Sequence, residues 1–139
     1  MGSRRKAREA AVQMLYQMDL SGISAADAAD AVGLFWKHLG VPVERDEFAD
    51  QLVLGYARAS EEIDAKIRAV SRHWRLERMS RVDRNIIRLG AYELMHIADI
   101  PRRVTLNEAV ELAKRFGNEE SPAFVNGVLD RIAEEVQKA

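Results

Sequence analysis

The chain has 139 residues, of which 47% are hydrophobic and 31% are charged, and its formal net charge is −1. This length and balance predict one folded domain over residues 1–139 and exclude a disordered chain. The absence of cysteine excludes disulfides, thiolate zinc sites and a cysteine nucleophile. No apolar run approaches the roughly 20 residues that span a bilayer, and no long apolar segment follows the basic start. We therefore expect a cytoplasmic protein without a signal peptide or membrane contact.

The first predicted helix begins among cations. Arg4, Arg5, Lys6 and Arg8 lie within the first eight residues, and the rest of the chain carries a net charge of −5. The helix dipole disfavours cations at a helix N-terminus, so this arrangement breaks a local rule. A basic tip on a slightly acidic body argues against broad coating of nucleic acid. It predicts a local, oriented basic contact; the alternative is a frayed, solvated terminus.

The same helix carries an apolar stripe and one aromatic residue on its opposite side. Tyr16 lies opposite the stripe, on the side of Val12. Either a second buried face or a partner-binding surface would explain an aromatic residue at that position. The stripe itself consists of Ala7, Ala11, Met14 and Met18.

Three further helices are predicted in the middle of the chain. The first of them is rich in alanine, is capped by Ser24, runs to Leu39 and is stopped by Gly40 and Pro42. The other two have apolar residues at helical spacing and are separated by a break at Ser60. They cover residues 46–59 and 61–73.

Capping signatures predict where the last helices begin. Ser80 and Asp83 are spaced as at a helix N-terminus, and Gly90 within that helix costs about 1 kcal/mol relative to alanine, which a close helix–helix approach would justify. Thr105 and Glu108 form a capping box, for a helix that Gly117 ends in the left-handed conformation. The last helix begins with Ser121 and Pro122 and buries Val125, Val128, Leu129, Ile132 and Val136. The periodicity thus predicts an all-α fold of about seven helices.

Side chains that could support catalysis are scattered. His38, His73 and His96 have no partner at a spacing that would bind zinc, and no glycine-rich phosphate loop is present. Carboxylates are plentiful but lie on polar helix faces. We therefore predict no catalytic residue, no metal site and no cofactor.

The two tryptophans are expected to be packed inside the protein, whereas the helical pattern does not decide whether Phe124 is packed or exposed. Trp36 and Trp74 are expected to pack in the core or between helices, and the basic run from Arg75 to Arg81 is expected to be solvated. Phe124 lies about 90° from the centre of the last helix's apolar stripe. It either packs at the rim or offers an exposed ring on which an unpaired base stacks. Cations with a flanking aromatic residue favour single-stranded RNA over duplex DNA.

Three sequence blocks resemble those of a known family, in the same order along the chain. They are RRKAREAAVQMLYQ (4–17), WRLERMSRVDRNIIRLGAYEL (74–94) and VTLNEAVELAKRFGNEESPAFVNGVLD (104–130). On these blocks the chain resembles the bacterial transcription antitermination factors of the NusB family. Residues 20–73 resemble the family only in their helical pattern and their alanine-rich composition.

The resemblance implies two packed helical bundles and a non-enzymatic RNA-binding role in transcription antitermination. Family members bind the boxA element of nascent ribosomal RNA together with NusE, a small-subunit ribosomal protein, and reach RNA polymerase with other Nus factors. By position, the resemblance assigns RNA binding to Arg4, Arg5, Lys6, Arg8, Glu120 and Phe124, and NusE binding to Tyr16 and Asp83. The basic start would then be a mobile arm and first turn that holds RNA phosphates.

Two other interpretations of the sequence stay open. NusB-like domains also occur fused to RNA cytosine methyltransferases, so the chain could be such an accessory domain in isolation. Alternatively, it could be a self-associating helical scaffold that binds proteins. The sequence does not distinguish a monomer from a homodimer.

Overall fold

The computed structural model describes residues 3–38 and 45–139, and these segments are largely helical. Within them lie seven α-helices and no β-strand, which confirms the predicted all-α class. Two short 3-10 turns, Ala25–Asp27 and Leu76–Arg78, precede α2 and α5. The helices are α1 Ser3–Ser21, α2 Ala28–Lys37, α3 Glu47–Arg58, α4 Ser60–Val70, α5 Arg81–His96, α6 Arg102–Phe116 and α7 Ser121–Glu135.

The second helix is shorter than predicted at its N-terminal end. Ser24 does not cap an α-helix; its hydroxyl lies 3.2 Å from a carboxylate oxygen of Asp27, and a 3-10 turn separates it from α2. The predicted end at Leu39 and the stop residues Gly40 and Pro42 lie outside the described residues. Local hydrogen bonding by short polar side chains explains this irregular entry into the helix.

Two predictions for α5 are confirmed, the cap at Ser80 and the close helix approach at Gly90. The Ser80 hydroxyl accepts a hydrogen bond of 3.0 Å from the backbone N–H of Asp83, so Ser80 caps the helix. A β-carbon added at Gly90 would lie 2.6 Å from Cδ1 of Leu129 in α7. Glycine therefore lets α5 and α7 approach closely, which offsets its poor helix propensity.

The predicted capping box at Thr105 is wrong. The helix α6 begins three residues earlier, at Arg102, with Pro101 at the cap position. The Thr105 side chain is buried and donates a hydrogen bond of 2.8 Å to Glu93 of α5. Glu108 binds Arg5 of α1 instead of the backbone at the start of its own helix. Both side chains that the local signature assigned to a cap, Thr105 and Glu108, thus form hydrogen bonds with residues of other helices.

The helices pack as two bundles that meet at α5. One bundle consists of α1, α2 and α3, and the other consists of α4, α5, α6 and α7. The central helix α5 also packs against α1 and α3, so it joins the two groups. Its buried side chains include Ile86, Ile87 and Leu89.

The predicted apolar stripes supply most of the core. Both faces of α1 are used, because Val12 and Leu15 are buried together with the stripe that runs from Ala7 to Met18. Several polar and charged side chains are buried as well, among them Arg8 and Glu93, which are 3% and 1% exposed. None of the helices in residues 3–38 and 45–139 is long and apolar enough to cross a membrane.

Candidate nucleic-acid interface

The basic residues at the start of the chain are helical. Because α1 begins at Ser3, Arg4 to Arg8 form its first two turns. The resemblance implied a mobile arm for these residues; the structure has them within the helix. The first turn of α1 contains no acidic residue to offset its cations. Carboxylates from other helices take that role, as the contacts of Arg5 and Arg8 demonstrate.

Arg8 points into the core and is 3% exposed. Its guanidinium donates hydrogen bonds of 2.7 and 3.0 Å to the two carboxylate oxygens of Glu93 in α5. Thr105 of α6 donates a third hydrogen bond to the same carboxylate. This buried pair fixes α1 against α5 and α6, and in this arrangement the Arg8 charge does not face solvent.

Arg5 lies above this buried pair and remains accessible, with 54% of its side chain exposed. It donates hydrogen bonds of 3.0 and 2.8 Å to the two carboxylate oxygens of Glu108. These bonds lower the pKa of Glu108 and raise the pKa of Arg5. A bidentate arginine–carboxylate pair has the geometry with which arginine also binds phosphate.

Arg4 and Lys6 complete the exposed basic group. The guanidinium of Arg4 lies 4.3 Å from the ring centroid of Phe48, which is a cation–π distance. Phe48 itself is held at the start of α3, where its backbone N–H donates to the Asp46 side chain. Lys6 is exposed. We call Arg4, Arg5 and Lys6 the α1 basic group.

Phe124 lies in the first turn of α7 and is half-buried. Its ring meets the ring of Trp74 edge to face, with centroids 5.8 Å apart and an interplanar angle of 76°. Trp74 is 61% exposed, so its predicted role as a core residue is wrong. Its position in the turn after α4, among exposed basic residues, is the sequence signal that could have indicated a surface role.

The loop that leads to Phe124 is held by its own side chains. The amide oxygen of Asn118 accepts hydrogen bonds from the backbone N–H groups of Glu120 and Ser121, at 2.9 and 3.1 Å. Gly117 has φ −99° and is therefore not in the left-handed conformation that the sequence predicted. It is required because a β-carbon there would lie 2.4 Å from the Ser121 hydroxyl. Glu120 is exposed at this loop.

Ion pairs tie α1 to α6, the helix that precedes the loop leading to Phe124. Glu9 of α1 forms an ion pair of 3.5 Å with Arg115 in the last turn of α6. The loop after α6 then leads directly to the first turn of α7. Helices α1 and α6 are thus tied together both at Arg5–Glu108 and at Glu9–Arg115.

A second exposed surface lies around the other end of α1. Tyr16 is exposed, and Leu20, one turn further on, is exposed as well. Asp19 binds Arg84 and Asn85, which places this end of α1 beside the first turns of α5. Because Val12 is buried, the second buried face of α1 exists, but it does not extend to Tyr16.

Asp83 lies in the first turn of α5, next to this surface. It is 9% exposed, and its Oδ1 atom has no hydrogen-bond partner among the described residues. A buried carboxylate oxygen without a partner carries a substantial free-energy cost.

The histidines do not form a metal site. His96 pairs with Glu62 at 2.8 Å and stacks on Tyr92, whereas the ring of His38 contacts a backbone carbonyl in its own helix. Within the described part of the chain, no group of three His, Cys, Asp or Glu side chains could hold a metal ion.

The sequence profile of the NusB family matches residues 5–134 of the chain. The chain belongs to the NusB family. It is 54% identical to the transcription antitermination protein NusB of Sorangium cellulosum over 96% of this chain and 94% of that protein. It is 49% identical to NusB of Myxococcus xanthus, with 99% of each chain covered.

Solved structures of NusB have the same fold. T. maritima NusB superposes with a TM-score of 0.79 at 36% identity, over 95% of this chain and 91% of that chain. A chain in a crystal structure of antitermination factors NusB and NusE in complex with dsRNA gives a TM-score of 0.82 at 30% identity. In that comparison, 97% of this chain and 98% of the other chain are covered.

Proposed function

We propose that this chain is a non-enzymatic, cytoplasmic RNA-binding factor of transcription antitermination. It binds boxA of nascent RNA together with NusE, and through other Nus factors it acts on RNA polymerase. The observation that carries the proposal is the near full-length similarity to a chain found in complex with NusE and RNA, at a TM-score of 0.82. The exposed basic group on α1 and the aromatic residues at α7 supply the chemistry that an RNA surface needs.

Three cations contribute to RNA phosphate binding in this proposal, namely Arg4, Arg5 and Lys6. Arg8 does not bind phosphate in this proposal, because its charge is already paired with Glu93 in the core; it fixes the position of α1. Three phosphate contacts to a single strand give a slope of log affinity against log salt of roughly −2. Phe124 stacks on an unpaired base, and Glu120 lies at the edge of that contact.

The experiment is a titration of fluorescently labelled boxA RNA, followed by anisotropy, with and without NusE. We expect boxA to bind more tightly than a scrambled RNA of equal length, and NusE to increase this difference. Replacing the whole α1 basic group by alanine should weaken binding and flatten the salt slope. Equal affinity for boxA and scrambled RNA under both conditions would contradict the proposal.

The surface around Tyr16 is the proposed NusE-binding site. Tyr16 and Leu20 offer exposed apolar contact, and Asp83 lies in the first turn of α5, whose next two residues bind Asp19 of α1. Tyr16→Ala and Asp83→Asn should each weaken NusE binding in calorimetry at unchanged affinity for RNA alone. Lys37→Ala, an exposed change on α2, serves as the control. NusE binding that is equal in all four chains would exclude this surface.

A further inference from the structure

The turn between α4 and α5 presents four consecutive exposed residues, which are Arg72, His73, Trp74 and Arg75. The residues on either side, Ser71 and Leu76, are buried. An indole ring that is mostly exposed contributes little packing energy, although it is the side chain with the largest apolar surface. The turn therefore displays an aromatic ring between cations.

Hydrogen bonds hold the backbone of this turn, and one aromatic contact orients the Trp74 ring. The backbone N–H of Trp74 donates a hydrogen bond of 2.9 Å to the carbonyl of Ser71, and the buried Ser71 hydroxyl donates one of 2.6 Å to Ile67. The Trp74 ring contacts Phe124 edge to face. A ring that is fixed before binding loses little conformational entropy when a ligand arrives.

The geometry of the pair leaves room for a flat ligand. An edge-to-face contact covers one face of only one of the two rings, so other faces stay available for stacking. Nucleobases stack on such faces irrespective of their sequence, and nearby arginines bind the phosphates that connect them. The exposed side chains of Arg72 and Arg75 stand on either side of the tryptophan along the chain.

The turn is open to solvent on one side and meets the start of α7 on the other. On one side, Arg72 and His73 line an open cavity of about 450 Å³ together with Arg131, Glu134 and Glu135 of α7. Both glutamates are paired with cations, Glu134 with Arg102 and Glu135 with Lys66, so Arg72 remains available to a phosphate there. On the other side, Trp74 contacts Phe124 at the N-terminal end of α7, where the helix dipole favours negative charge.

We propose that Trp74 is a second base-stacking residue, which together with Phe124 forms a two-ring platform for unpaired nucleobases of RNA. Arg72 and Arg75 bind the adjoining phosphates. This inference rests on the proposed function and extends its RNA site from the start of α7 to the turn after α4. The RNA strand then contacts three separate parts of the chain: the start of α1, the start of α7 and this turn.

The test uses the full chain with Trp36→Phe as the parent, so that Trp74 is the only tryptophan. Unlabelled boxA RNA is added in the presence of NusE, and the tryptophan fluorescence is recorded. The fluorescence change that NusE causes without RNA is subtracted. Stacking should quench the tryptophan fluorescence, with the same midpoint as anisotropy of labelled RNA gives. Trp36→Phe also serves as the control for affinity, because Trp36 is half-buried and binds Asp50 within the protein.

Substitutions at Trp74 separate stacking from charge and from folding. Trp74→Leu should weaken RNA binding about fivefold or more, whereas Trp74→Phe should retain most of the affinity. The salt slope should stay unchanged in both variants, because no phosphate-binding cation is lost. Arg75→Ala should instead lower the magnitude of the slope.

Two results would overturn the proposal while leaving the proposed function intact. One is equal RNA affinity of the Trp74→Leu and Trp74→Phe variants. The other is unchanged tryptophan fluorescence while anisotropy reports binding. If the parent chain does not bind boxA RNA even with NusE, the proposed function itself fails, and this inference fails with it.

Discussion

The guanidinium of Arg5 donates two hydrogen bonds to the carboxylate of Glu108, a residue 103 positions away in the sequence. One of the three exposed cations of the α1 basic group is thus already bound to an internal anion. A phosphate that approaches Arg5 has to compete with that carboxylate. In the proposed RNA site, Glu108 therefore competes with RNA phosphates for Arg5.

Removing the charge of Glu108 should strengthen RNA binding. In water, one unit charge about 6 Å from a phosphate costs about 0.7 kcal/mol, so Glu108→Gln should raise the affinity for boxA RNA about threefold at low salt. Anisotropy titrations over a range of salt concentrations measure this. The control is Glu62→Gln, which removes a carboxylate paired with His96 on another surface. An equal gain in both variants would mean that only net charge matters.

Loss of Arg8 should destabilise the fold far more than loss of Arg5. Arg8→Met leaves Glu93 buried without its cation, which costs about 3–5 kcal/mol. Arg5→Met removes the exposed arginine of a surface pair and should cost far less. Urea unfolding followed by circular dichroism gives both values. Similar midpoints for the two variants would show that the buried pair does not anchor α1.

Replacing Gly90 and Gly127 by alanine should have opposite effects on the stability of the protein. Gly90→Ala forces a β-carbon against Leu129, and overpacking of this kind costs about 1–3 kcal/mol. Gly127 lies exposed in α7 with no atom within 4 Å of an added β-carbon, so Gly127→Ala should stabilise the helix by up to about 1 kcal/mol. Thermal unfolding of the two variants distinguishes the cases. A stabilised Gly90→Ala would refute the close approach of α5 and α7.

Stability should fall in acid through Asp19. Burial opposes ionisation of this carboxyl group, but hydrogen bonds from Arg84 and Asn85 outweigh burial, and the pKa of Asp19 is lowered. Because the unfolded chain then takes up the proton first, stability is lost as the pH falls below the ordinary range near 4. Unfolding free energies of the parent and of Asp19→Asn, measured from pH 7 to pH 3, should converge toward low pH. A constant difference across that range would contradict this origin of the acid sensitivity.

The sequence predicted those features that depend on neighbouring residues. The Ser80 cap depends on a partner three residues away, and the apolar stripes depend on helical periodicity. Gly90 was also interpreted correctly, since a glycine inside an apolar stripe requires a close neighbour. These predictions needed no knowledge of which helices pack together.

The features that the sequence missed depend on distant partners. Thr105 and Glu108 have the spacing of a capping box, yet Glu93 and Arg5 bind them because the packing of α1, α5 and α6 brings those charges close. For the same reason, Arg8 could not be distinguished from its exposed neighbours. The sequence predicts Trp74 in the core or between helices, because most large aromatic residues are buried; a turn anchored at Ser71 instead keeps it outside the core, in contact with Phe124 of α7.

The central position of α5 also determines how the molecule opens. Because α5 packs against α1, α3, α4, α6 and α7, its backbone amides can reach solvent only after most of the structure has come apart. Their hydrogen exchange should therefore report the global free energy of unfolding. The amides of α2, which packs on α1, α3 and the preceding 3-10 turn, should exchange through a smaller, local opening. The two bundles are then one cooperative unit around α5, with α2 as the segment that detaches first.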